Sequence, residues 1–112
     1  MKISEVVRLL DADILCGEEF LEDEVFSACG SDLMSDVLAY VKTQGLLLTG
    51  LNNLQVIRTA DMMDMHAVVF VRGKCPDDET VALARRKDMV ILKTMLPLYS
   101  SCGILYHNGL GR

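Results

Sequence analysis

Eight residues at the ends of apolar runs carry groups a small ligand can use. Thr49 and Thr94 offer hydroxyls, Arg72 a fixed positive charge and Asn52 a side-chain amide, while Gly30, Ser31, Gly50 and Gly73 lie where loop backbone can be approached closely. Gly30-Ser31-Asp32 and Gly50-Leu51-Asn52-Asn53 each precede a predicted helix. Unpaired N–H groups and the helix dipole there suit an anion or a polar ligand. The same residues have a plainer use, in which glycines permit sharp strand-to-helix turns and Asn, Ser and Asp act as caps. Both readings stand at this stage.

Other candidate chemistries fail on spacing. A phosphate cradle for nucleotide-dependent transfer needs Gly-x-x-x-x-Gly-Lys-Ser/Thr and a metal-holding acid. Gly45 and Gly50 have the interval, but Leu51 and Asn52 follow, and the residues between the glycines read as a buried strand. Asp61, Asp64 and His66 straddle a helix end and a strand start and so point apart rather than toward one metal. Met62, Met63 and Met65 suit packing or a subunit contact better than copper. The cysteines at 16, 29, 75 and 102 include no Cys-x-x-Cys knuckle, so they read as reduced thiols rather than zinc ligands. His107 has no serine or cysteine in a context that would make it a nucleophile's base. The expectation is a protein with no catalytic residues, no metal and no cofactor.

The elements that position the eight residues follow from periodicity. Apolar runs begin at 46, 68 and 90, one every 22 residues, and each ends in a polar step: Thr49-Gly50, Arg72-Gly73 and Lys93-Thr94. Runs that are apolar without alternation suit strands covered on both faces, and the stretches between them have helical spacing. This predicts a small α/β domain with a mostly parallel sheet flanked by helices, occupying residues 1–112. In such sheets ligands bind outside the carboxyl ends of the strands. Upstream, Ile3, Val6, Val7 and Leu10 form one helix face, with Ser4 placed to cap it. Short strands are predicted at 13–16 and 25–29. A helix follows, with Leu33, Met34, Val37, Leu38 and Val41 as an apolar stripe, ended by Thr43-Gln44 and a capping Gly45. Further helices are expected at 54–63, at 79–87 and, after Pro97, at 99–106.

Net charge is −5, with acid gathered at Glu18, Glu19, Glu22, Asp23 and Glu24, read as a solvated loop. An acidic surface repels phosphate backbones, so nucleic acid is not an expected partner. No apolar run reaches the ~18 residues a spanning helix needs, and Met1-Lys2-Ile3-Ser4-Glu5 lacks a signal-peptide pattern, so membrane association is not expected and a cytoplasmic location is. A two-fold homodimer is expected, with the Met62-Met63 helix end and the Leu96–Leu105 segment as its exposed candidates.

From Leu47 to Ile104 the order of steps resembles a DRTGG domain. A strand ends at Thr49-Gly50 and leads to a helix, a second ends in the glycine turn at Arg72-Gly73, Pro76-Asp77-Asp78-Glu79 opens another helix, and a last strand ends at Thr94. Residues 1–41 look like the lead-in of stand-alone members, so the resemblance covers nearly the whole chain. At the Asp-Arg step that names the family, this chain has Leu51 and Asn52. The resemblance extends to the N-terminal, non-catalytic domain of HPr kinase/phosphorylase. It implies a regulatory or ligand-sensing interaction module, taking a small anionic ligand or nucleotide or a partner enzyme. The alternative is a structural accessory subunit of a phosphotransfer or redox enzyme, with no ligand of its own.

Overall fold

In the computed structural model, residues 1–40 and 45–111 are described. Among the described residues, five α-helices and five strands follow in the order α1 (Ile3–Leu10), β1 (Asp13–Cys16), β2 (Ser27–Gly30), α2 (Met34–Tyr40), β3 (Gly45–Thr49), α3 (Leu54–Met62), β4 (Ala67–Phe70), α4 (Asp78–Arg86), β5 (Val90–Lys93) and α5 (Leu98–His107). They form one sheet of order β1-β5-β4-β3-β2. β2 through β5 are parallel, with Leu46 opposite Ala67 and Ala67 opposite Val90. β1 joins the far side of β5 antiparallel.

The apolar strand runs have no polar phase because both faces are covered. Leu46, Leu48, Val69, Val90 and Leu92 face one way, onto Val6 and Leu10 of α1 and Leu105 of α5. Leu47, Val68, Phe70 and Ile91 face the other way, onto Val37 of α2, Val56, Ile57 and Ala60 of α3 and Ala84 of α4. Burial of a residue of this size stabilises by roughly 1.5–3 kcal/mol, so these two layers hold the strand ends in register. None of the described helices is long and apolar enough to cross a membrane.

Several local expectations are revised. Lys2, not Ser4, occupies the N-cap of α1, and the first turn is tied instead by Ile3 N–H to Asp23 O (3.0 Å) and Ser4 N–H to Leu21 O (2.8 Å). The acidic segment is therefore not a free loop; Phe20 and Leu21 pack on the core while the carboxylates face outward. Gly45 is the first residue of β3 rather than a helix cap. Only Val37 of the α2 stripe is fully buried, while Leu33 and Leu38 are exposed, because α2 flanks the edge strand and has less sheet to cover. Val41, Thr43 and Gln44 lie outside the described residues.

Candidate functional site

The parallel strands present Gly30, Thr49, Phe70 and Lys93 at one edge of the sheet, as their register requires. The loops that follow gather three of the eight named residues around one the spacing did not single out, Asp32. Its Oδ1 accepts a hydrogen bond from Gly50 N–H (2.6 Å) and one from the Thr49 hydroxyl (3.2 Å), and its Oδ2 lies 3.7 Å from Arg72 Nη2. Arg72 and Asp32 are each about half exposed, 52% and 46% by side chain, so the pair is open to exchange with solvent. Thr49 Oγ1 also accepts from Leu51 N–H (3.2 Å).

Two backbone features aim the guanidinium at this point. Arg72 adopts φ 58°, a left-handed conformation uncommon for a side-chain-bearing residue, and Gly73 follows at φ 68°. Arg72 N–H donates to Leu96 O and Gly73 N–H to Thr94 O, both at 2.9 Å, so the turn is held from outside. At Gly50 the requirement is for space. A Cβ there would collide with the Arg72 guanidinium, whose Cζ would be 3.0 Å away.

The other named residues serve the frame. The Thr94 hydroxyl is buried and donates to Leu10 O (2.7 Å), fastening the end of α1 to the end of β5. Asn52 donates to Cys75 O across the neighbouring loop (3.1 Å). Ser31 Oγ accepts from Leu33 N–H (3.0 Å) while Ser31 N–H donates to Leu48 O (3.0 Å), which pins the turn carrying Asp32. Gly30 packs against Cys102 and Leu98 of α5.

β2 to β5 follow one another without the reversal of order that creates the usual cleft in such sheets. The hollows lie elsewhere. One of about 530 Å³ sits near the opposite edge, among Phe26, Val25, Asp23, His66 and Asp88. A second, of about 800 Å³, runs between β2 and α5, past Ala28, Gly30, Tyr99, Cys102, Gly103 and Leu110. Among the described residues, none lining the second hollow is Asp, Glu, Lys or Arg.

The remaining chemistry-bearing residues are dispersed. Asp61 pairs with Lys87 (3.3 Å) and Asp64 with His66 (3.0 Å). Among the described residues, no three His, Cys, Asp or Glu side chains gather as a metal set. Burial pushes the thiols of Cys16, Cys29 and Cys102 above their ordinary range, which favours the protonated form.

Asp32 was the residue missed, for a physical reason: adjacency to Gly30-Ser31 marks it as a cap, whereas its partners at 49, 50 and 72 are supplied by strand pairing.

No family model matches the sequence, and no curated protein does. Among solved structures, the chain resembles the CBS and DRTGG domains of the regulatory region of Clostridium perfringens pyrophosphatase, complexed with the activator diadenosine tetraphosphate. The TM-score is 0.76 at 12% sequence identity, over 93% of this chain. Only 45% of that structure is covered, so this chain spans less than half its length. Five strands, mostly parallel and packed between two helical layers, with that likeness across nearly every residue, give this chain a DRTGG-like α/β fold.

Proposed function

We propose that the chain is a non-catalytic regulatory module of the cytoplasm that senses a small anionic ligand, a nucleotide or related phosphate compound, and acts on a partner enzyme. The observation carrying this reading is the aimed, half-exposed Arg72 guanidinium lying against Gly50. A left-handed arginine held by two external backbone bonds is a costly way to make a surface turn, and backbone strain of this kind clusters at ligand sites. The structural likeness supports it, because the neighbour is a regulatory region that binds a nucleotide activator. The contact set is Arg72, Gly50 and Thr49, bordered by Asn52 and Gly73, with Gly30 and Ser31 on the β2 side; Thr94, whose buried hydroxyl is committed to Leu10 O, supports it from the frame.

A thermal-shift panel of ATP, ADP, AMP, diadenosine tetraphosphate and sugar phosphates tests the reading. A ligand held only by the folded state at a hundred times its Kd adds about 2.7 kcal/mol of stability, which raises Tm by several degrees. No shift across the panel overturns it. Magnesium and ATP should give no turnover above buffer, since the cradle sequence is lacking.

The hollow beside α5, lined by no Asp, Glu, Lys or Arg, favours a second reading, the accessory subunit that docks without a ligand. On a chain of net charge −5, a surface lined by no Asp, Glu, Lys or Arg is one that a second copy can approach without carboxylate repulsion. We assign the homodimer contact to this face, which includes Tyr99, 90% exposed. Light scattering at micromolar concentration should report twice 12.4 kDa, and a Tyr99→Glu variant the monomer. A wild-type monomer removes the assignment.

A further inference from the structure

Three of the donors that an incoming anion would use at the strand ends already face one carboxylate. Gly50 N–H and the Thr49 hydroxyl both donate to Asp32 Oδ1, and Arg72 Nη2 stands 3.7 Å from Asp32 Oδ2. We infer that Asp32 is an internal stand-in for the ligand's anionic group and determines which anions can bind. The inference rests on the anion-sensing reading above and names the property it gives the site.

The geometry supports exchange rather than coexistence. Asp32 is half exposed, and its backbone is fastened independently, by Ser31 N–H to Leu48 O and Leu33 N–H to Ser31 Oγ. Its carboxylate can therefore swing out by side-chain rotation alone, without unravelling the turn. An anion that enters while Asp32 stays meets a like charge within a few ångströms of Arg72, which is unfavourable even near a protein surface. An anion that replaces it must offer more than a carboxylate does. A singly charged carboxylate only exchanges one such group for another, whereas a phosphate group carries more charge and a third acceptor oxygen for the guanidinium. Asp32 thus selects phosphorylated ligands over simple carboxylic acids.

The experiment compares the full chain with Asp32→Asn, Arg72→Ala and the double variant, using calorimetry at constant ionic strength with three probes: tripolyphosphate, ATP and acetate. Asn keeps an oxygen for Gly50 N–H and Thr49 while removing the charge. The expected result is that Asp32→Asn binds tripolyphosphate and ATP about tenfold more tightly than wild type and gains measurable acetate binding. Arg72→Ala should abolish both gains in the double variant. A stronger response to ATP than to tripolyphosphate marks a nucleotide as the source of the phosphate. If Asp32→Asn binds no better than wild type while Arg72→Ala loses binding, the stand-in role is wrong and the anion site survives. If Arg72→Ala changes nothing, or neither wild type nor Asp32→Asn binds any probe, both fall. Should Asp32→Asn melt early, the wild-type protein gives the same answer by NMR. Saturation with tripolyphosphate must shift the Asp32 side-chain carboxyl resonance together with the Gly50 amide, and an unmoved Asp32 signal overturns the inference.

Discussion

Thr49 ends β3 and Thr94 follows the last residue of β5; both are buried at the same edge of the sheet, and they have opposite uses. Thr94 donates to Leu10 O, 84 residues earlier in the chain, and accepts from Leu96 N–H. Thr49 donates to Asp32, a half-exposed carboxylate that also faces Arg72. One hydroxyl closes the frame and the other belongs to a polar cluster that reaches solvent. Two buried threonines at one edge of the sheet are therefore not interchangeable chemically. What decides is the element each hydroxyl meets: the end of α1 for Thr94, and the Ser31-Asp32 turn for Thr49.

The largest effect is expected at the frame. Thr94→Val leaves the Leu10 carbonyl and the Leu96 amide without their partner, and should cost about 1–3 kcal/mol in denaturant unfolding. Ligand affinity should not change, and a loss of affinity without a loss of stability would erase the distinction. Arg72→Ala is the inverse experiment. Binding of a phosphate ligand should fall roughly ten- to a hundredfold, as for a lost charge-assisted hydrogen bond, while stability moves by under about 0.5 kcal/mol. Thr49→Val lies between them, with about 1 kcal/mol lost from the Leu51 amide and a several-fold weaker ligand. The smallest effect concerns the thiols. Burial raises the folded-state values of Cys16, Cys29 and Cys102, so their stabilising contribution is fully present below the unfolded thiol value, about 8.5, and is lost as pH rises through the folded ones. Chemical denaturation across pH 8 to 10 should show stability falling, and Cys16→Ala should flatten the slope. An alkylating reagent should take the exposed Cys75 first.

Much of the fold was legible in the chain. The apolar runs at 46, 68 and 90 are recovered as β3, β4 and β5, because a strand covered on both faces cannot tolerate a polar phase. The orientation of β1 was not legible. Asp13-Ile14-Leu15-Cys16 carries no sign of whether it runs with or against its neighbour, and its partner lies more than 70 residues away. Ser4 looked like a cap because a hydroxyl preceded a periodic apolar run, yet the backbone of the acidic segment takes that role. At the candidate site the aimed arginine and the close glycine were visible as types. Their convergence on Asp32 depended on strand register and on a left-handed turn after β4, neither of which a residue type announces.

The antiparallel seam between β1 and β5 also orders events in time. Asp13 pairs with Lys93 and Ile14 with Leu92, and Cys16 donates to Met89 O across 73 residues of chain. During synthesis, β1 must wait for nearly all of the intervening chain before its partner exists. Such long-range closure is slow compared with the local pairing of β3 with β4. An emerging chain would form the parallel centre first, with α1 already tied to the acidic segment, and leave β1 without its strand partner until β5 appears.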